Sequence, residues 1–168
     1  SSVNFGFAYN LIVNVEDDGN ADNALSDQGS LRQFIKNANA IGAAGGTTAN
    51  SSEFRMQVAT NQTDGSGNNW WRTTLSTICL PELTDGGTTI DGSRQRINSS
   101  SDDNTLGPEI EIDGNKGAIA SCTGLYINNV GTMTIQEIVL GNFSSQGITM
   151  TGAGANGINI YGNYIGTD

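Results

Sequence analysis

Apolar residues fall along this chain in two rhythms. One stretch has a helical period: Leu31, Phe34, Ile35, Ala38 and Ile41 share a face, Ser30 stands where a side chain caps the first turn, and Gly42 with the glycines of 43–46 ends the run. The rest is of strand length. Residues 3–15 read as one or two strands and 54–58 as another. After Trp70-Trp71-Arg72 the pattern recurs at 75–80, 88–90, 109–112, 125–127, 133–140, 148–150 and 158–165, between turns of Gly, Asn and Ser. An acidic loop spans 16–30, and 61–69 is a Gly/Asn/Ser stretch.

The last strands repeat. Gly124-Leu-Tyr-Ile returns as Gly147-Ile-Thr-Met, an offset of 23 residues, and Met133-Thr-Ile135 returns as Ile158-Asn-Ile160, an offset of 25. Leu140-Gly141 falls on Ile165-Gly166 at that second offset. Short strands at such a period predict an all-β fold, a parallel solenoid whose turns stack at the strand spacing of about 4.8 Å. An antiparallel sandwich needs no constant offset. The lone amphipathic helix is then expected to cover an apolar surface as a lid.

Composition fits that picture. Only 36% of the 168 residues are hydrophobic and 14% charged, while glycine numbers 23. A solenoid needs one inward residue in two along each strand, and corners that reach left-handed backbone angles. With 7 basic and 17 acidic residues the net charge is −10, which opposes binding to phosphate backbones. There is no histidine, so Ser-His-Asp and Cys-His catalysis and the commonest zinc ligand are excluded. No apolar run reaches the length of a membrane-spanning helix. Cys79 and Cys122 either pair, closing a loop worth about 4 kcal/mol, or stay as two small buried thiols.

Several segments resemble one family. Gly29-Ser-Leu-Arg-Gln-Phe-Ile-Lys-Asn-Ala-Asn-Ala-Ile41, preceded by Ile12-Val-Asn14 and the acidic loop, is similar to the N-terminal cap of large bacterial surface proteins that carry right-handed parallel β-helices. Their cap motif reads Cys-Ser-Leu-Arg-Glu-Ala; here Gly29 replaces its cysteine and Gln33-Phe34 its Glu-Ala. Trp70-Trp71-Arg72, Leu80-Pro-Glu-Leu-Thr-Asp85, Thr88-Thr-Ile-Asp-Gly92 and Gly107-Pro-Glu-Ile-Glu-Ile-Asp-Gly114 look like the family's first rungs, and Asn163-Tyr-Ile-Gly-Thr-Asp168 like its rung ending. The resemblance implies a cap over residues 1–69 containing one short helix, β-helix rungs over 70–168, and an exported protein. Phe5-Gly6-Phe7 resembles the junction after a preceding β-sandwich module, which marks the chain as part of something longer.

Candidate sites are few. Asp18, Asn20, Asp22 and Asp27 place oxygens at the spacing that opens a calcium loop, although Asn23 and Gly29 stand where its glycine and bidentate glutamate belong. Glu109, Glu111 and Asp113 alternate onto one strand face, outward if Ile110 and Ile112 face in, and Asp91 neighbours Asp113 if Ile90-Asp91-Gly92 stacks on Ile112-Asp113-Gly114. Such carboxylates either serve as the acid and base of a polysaccharide-cleaving enzyme or bond turn amides. Trp70 and Trp71 are either a sugar platform or a pair split between core and cap. Tyr126, Tyr161 and Tyr164 form an outward aromatic row if their rungs align, and Asn163, in the place of Ile138, is expected to bond along the stack. Asn50, Asn61, Asn98 and Asn142 lie in glycosylation sequons.

These observations favour a non-enzymatic structural or adhesive segment of an extracellular surface protein. Its open last rung is to be covered by neighbouring domains of a longer chain or by identical subunits in a head-to-tail filament. The alternatives are a carbohydrate-active β-helix enzyme and a glycan-binding module. Calcium is the one candidate cofactor, and neither nucleic acid nor a membrane span enters.

Overall fold

The computed structural model describes residues 9–17, 28–42 and 50–167. Phe5-Gly6-Phe7 and the calcium candidates Asp18, Asn20, Asp22 and Asp27 lie outside them. The described chain is mostly β-strand, in largely parallel sheets, with two short helices. Its elements run β1 Leu11–Ile12, α1 Leu31–Ile41, β2 Glu53–Phe54, β3 Gln62–Thr63, β4 Asn69–Thr74 and β5 Thr89–Asp91. There follow α2 Ser93–Ser99, β6 Ile110–Asp113, β7 Leu125–Asn128, β8 Thr134–Gln136 and β9 Val139–Gly141. Last come β10 Ile148–Thr151, β11 Asn159–Tyr161 and β12 Tyr164–Thr167.

From β7 onward the chain visits three sheets in turn and then visits them again. β10 pairs with β7, β11 with β8 and β12 with β9, all parallel. Leu125 lies beside Ile148, Ile135 beside Ile160 and Leu140 beside Ile165. Earlier strands extend two of the sheets, giving the orders β11-β8-β5 and β12-β9-β6-β4-β3, where only β3–β4 is antiparallel. An isolated parallel bridge from Leu83 to Ile127 lengthens the third.

Inward residues of the three sheets form one core. Ile90 and Ile135 stack in one ladder, Ile112 and Leu140 in another, Leu83 and Ile127 in the third, and all are at most 1% exposed. Corners between strands use left-handed residues at matching places. Thr132 and Gly157 have φ of 58° and 64°, and Glu137 and Gly162 have 53° and 66°. At the second corner Gly162 takes the left-handed angle without the strain that Glu137 accepts one strand layer earlier. Asn163 then bonds back along the stack: its Oδ1 accepts from the Ile138 amide at 3.1 Å and its Nδ2 donates to the Ile135 carbonyl at 2.8 Å.

The helix over 31–41 covers this core. Ser30 accepts from the Gln33 amide at 3.1 Å, Gly42 donates to the Ala38 carbonyl, and Leu31, Phe34, Ile35 and Ala38 are buried. Ile41, expected on that face, is 47% exposed because the helix runs past the core there. Arg32 is buried beside it. It donates to Asp17 and to the carbonyls of Ile78 and Cys79, at 2.7 to 3.0 Å. No strand forms over 75–80, because the Leu75 carbonyl accepts from the Asn115 side chain and the Ser76 amide donates to Asp17. The carbonyls of Ile78 and Cys79 turn toward the guanidinium, and Cys79 is joined by a disulfide to Cys122, its Cα 5.5 Å away.

Two further expectations change. The strand over 54–58 stops at Phe54, since the Met56 amide donates to Gln95 Oε1 and the Val58 carbonyl accepts from the Trp71 indole. A second helix, α2, occupies 93–99 and docks on β2 through Arg94, Gln95 and Asn98. No helix among the described residues is long and apolar enough to cross a membrane.

Arg32→Met should cost about 3–5 kcal/mol in urea unfolding, since it removes the cation from the buried Asp17 carboxylate, which keeps only Ser76, and leaves the Ile78 and Cys79 carbonyls without this donor. Reducing the disulfide, whose cysteines are 43 residues apart, should cost about 4 kcal/mol more in the same assay.

Candidate functional site

The sheet β12-β9-β6-β4 has an outer face as ordered as its inner one. Arg72 is in register with Glu111, Glu111 with Val139, and Val139 with Tyr164, so one residue from each of four strands forms a row across the sheet. Trp70 lies two residues before Arg72 and therefore on the same face. Its indole donates to Glu111 Oε2, and Arg72 Nε lies 2.8 Å from the same oxygen as an ion pair, without the alignment of a hydrogen bond. No described hydrogen bond falls on Glu111 Oε1.

Two loops rise beside this row. In the first, Asp64 accepts from the amides of Ser66 and Asn68 and from the Asn68 side chain, whose bond holds its carboxyl below the ordinary value. In the second, Asn104 donates to the Pro108 carbonyl, and Tyr164 donates to the Leu106 carbonyl at 2.8 Å. Thr105 is tied across to Asn68 through both its amide and its hydroxyl. Gly107 permits this closure, because a Cβ there would strike the Tyr164 ring. Between the loops and the row lies an open cleft of about 280 Å³, with Trp70 and Tyr164 among its walls.

The carboxylates singled out in the sequence do not assemble. Asp91 is in β5 beside Gln136, whereas Asp113 is in β6 beside Thr74 and Gly141, in another sheet. The reason is that Ile90 stacks on Ile135, not on Ile112. Asp91 accepts from the Ser93 amide and hydroxyl at the start of α2, and Asp113 from the Asn115 amide and the Asn142 side chain. Glu109 and Glu111, expected to face solvent, are covered, at 2% and 9% exposure. Loop 101–105 folds over Glu109, whose Oε1 accepts from the Asp103 amide while its Oε2 is buried without a partner. Burial, ahead of the nearby carboxylates of Asp103 and Asp102, pushes the Glu109 carboxyl up from its ordinary value.

The aromatics separate as well. Trp71 is buried in the core and Trp70 lines the cleft. Tyr126, Tyr161 and Tyr164 sit in three different sheets and form no row. Among the sequons, Asn50 is 1% exposed, its Nδ2 donating to Asp85, so the fold withholds it from solvent. Asn61, Asn98 and Asn142 already spend Nδ2 on the Arg72 carbonyl, the Phe54 carbonyl and Asp113. No group of three or more residues able to hold a metal ion occurs among the described residues.

Sequence reasoning missed the row itself. Arg72, Glu111, Val139 and Tyr164 are strangers in the sequence, and only the register joins them. Compared with protein-family models, curated proteins and solved structures, the chain has no match in any of the three.

Glu109→Gln should raise the melting temperature at pH 7.5. A carboxyl whose folded pKa is raised binds more protons folded than unfolded, so its penalty grows as pH climbs above its unfolded value near 4.5. The gap between variant and native chain should therefore close as the pH is lowered toward about 4.

Proposed function

We propose that the chain is a non-enzymatic structural or adhesive segment of an extracellular surface protein, a cap over residues 1–69 on a right-handed parallel β-helix over 70–168. The observation that carries this reading is the state of the last strands. In each inward ladder the earlier members are fully buried, while Ile160, Ile165 and Met150 at the end are 36%, 45% and 50% exposed. β10, β11 and β12 are also edge strands in their sheets. Three parallel edges with apolar residues on one end fit the addition of further strands, supplied by neighbouring parts of a longer chain or by a second copy in a head-to-tail filament.

Other features support the reading. The chain passes through its three sheets in a fixed cycle, as a solenoid does, and parallel crossovers within one sheet are right-handed almost without exception. The Cys79–Cys122 bridge suits an oxidising location outside the cytosol. The likeness of the Ser30-Leu-Arg segment to surface-protein caps agrees with the place of α1 over the core. The enzymatic alternative asked for Asp91 beside Asp113, and these stand in separate sheets.

Sedimentation velocity and electron microscopy at rising concentration should show particles that lengthen by whole subunits. Ile160→Lys combined with Ile165→Lys should hold the chain monomeric with its melting temperature little changed. A native chain that stays monomeric at every concentration reached would refute assembly at this end.

A further inference from the structure

The cleft on the outer face of the four-stranded row is independent of the strand edges, since strands added beyond β12 extend the sheet sideways and leave that face open. Four features define what it accepts. Two aromatic side chains wall it, Trp70 and Tyr164, and each is fixed by its polar atom, the indole on Glu111 and the phenol on the Leu106 carbonyl. Held rings lose little freedom when a ligand lands on them, so they are platforms and not gap-fillers. The cation in the cleft, Arg72, is already 2.8 Å from Glu111, and Asp64 adds negative charge at the rim. With Asp64 and Glu111 set against Arg72, the cleft lining carries net negative charge in a chain of net charge −10, which opposes a carboxylate or phosphate ligand.

Asn68 and Asn104 are spent within the loops, so the polar groups that remain are Glu111 Oε1 and the Arg72 Nη groups, an acceptor and donors of the kind that bond hydroxyls. Trp70 in β4 and Tyr164 in β12 belong to opposite ends of the row, three strand spacings apart, so a ligand that meets both spans several units of a chain. From this geometry we infer that the cleft is a binding site for a neutral saccharide, whose C–H faces stack on Trp70 and Tyr164 and whose hydroxyls bond Glu111 and Arg72. The site gives the adhesive side of the proposed function a ligand, but it needs neither filament growth nor the surface-protein reading to be correct.

The test titrates the 168-residue chain with cellohexaose, mannohexaose and N-acetylchitohexaose, with polygalacturonate as the anionic comparison. Binding is read by calorimetry and by tryptophan fluorescence, with Trp71 as the buried reference. At least one neutral hexaose should bind and shift the Trp70 emission. Trp70→Ala and Tyr164→Ala should each weaken that binding about tenfold. Tyr164→Phe, which keeps the ring and loses its anchor, should weaken it less, by about threefold. Melting curves of the three variants confirm that they fold, and Tyr164→Phe keeps the test usable if an alanine variant does not. No binding by any neutral hexaose at about 10 mM overturns the proposal. So does binding that the substitutions leave unchanged, or tighter binding of polygalacturonate. Trp70 shielded by self-association, with no saccharide bound, assigns the cleft to a second copy and also overturns it. Sedimentation reports filament growth separately, so either idea can fail alone.

Discussion

Strands of two to six residues cannot stand alone, and here each one depends on having its equivalent alongside. Parallel pairing at a fixed offset is the constraint from which the rest follows. It places Ile90 on Ile135 and Ile112 on Leu140, so a narrow apolar column becomes a continuous core although only 36% of the chain is hydrophobic. It also decides what meets on the outer face. The register that buries Ile112 is the same one that lines up Arg72, Glu111, Val139 and Tyr164.

Where the described chain precedes the regular strands, polar contacts take over the work of holding it. Arg32 joins α1 to the segment at Ile78 and Cys79, and Asp85 receives both Asn50 and Thr88 in a buried cluster. Buried polar groups of this sort are costly unless every member is satisfied, and their bonds are directional where apolar contact is not. They set how α1 and β2 sit on the sheets.

How far the sequence was legible follows the same division. Periodic features were readable: the face of α1 with its Ser30 cap, the strands β5, β6, β7 and β10, and offsets that equal the registers of Leu125 with Ile148 and Ile135 with Ile160. But 133–140 and 158–165, each expected as one strand, are broken in two by the left-handed corners at Glu137 and Gly162. Features made by polar docking were not. Helix α2 rests on β2 through Arg94, Gln95 and Asn98 and leaves Ile97 exposed, so no apolar stripe betrays it. Just past the end of β4 at Thr74, the Ser76 amide turns to Asp17, 59 residues upstream. Alternation correctly separated Glu109 and Glu111 from Ile110 and Ile112, but it carried no sign that loop 101–105 would fold over Glu109 or that Trp70 and Arg72 would lie against Glu111. The aromatic wall of the cleft was half visible, in Trp70, while its partner Tyr164 had been grouped with tyrosines of other sheets.

The uneven burial of the three ladders also gives the molecule a direction. Ile90, Ile135, Leu83, Ile127, Ile112 and Leu140 are enclosed on both sides, whereas Met150, Ile160 and Ile165 have a neighbour on one side only. Backbone amides in β10 to β12 therefore open at lower cost than those in β6 to β9, and fraying travels inward from that end in steps of one strand layer. Amide hydrogen exchange along the chain is then a gradient. A layer bound at the end slows exchange most in the three strands it touches and progressively less in each layer behind them.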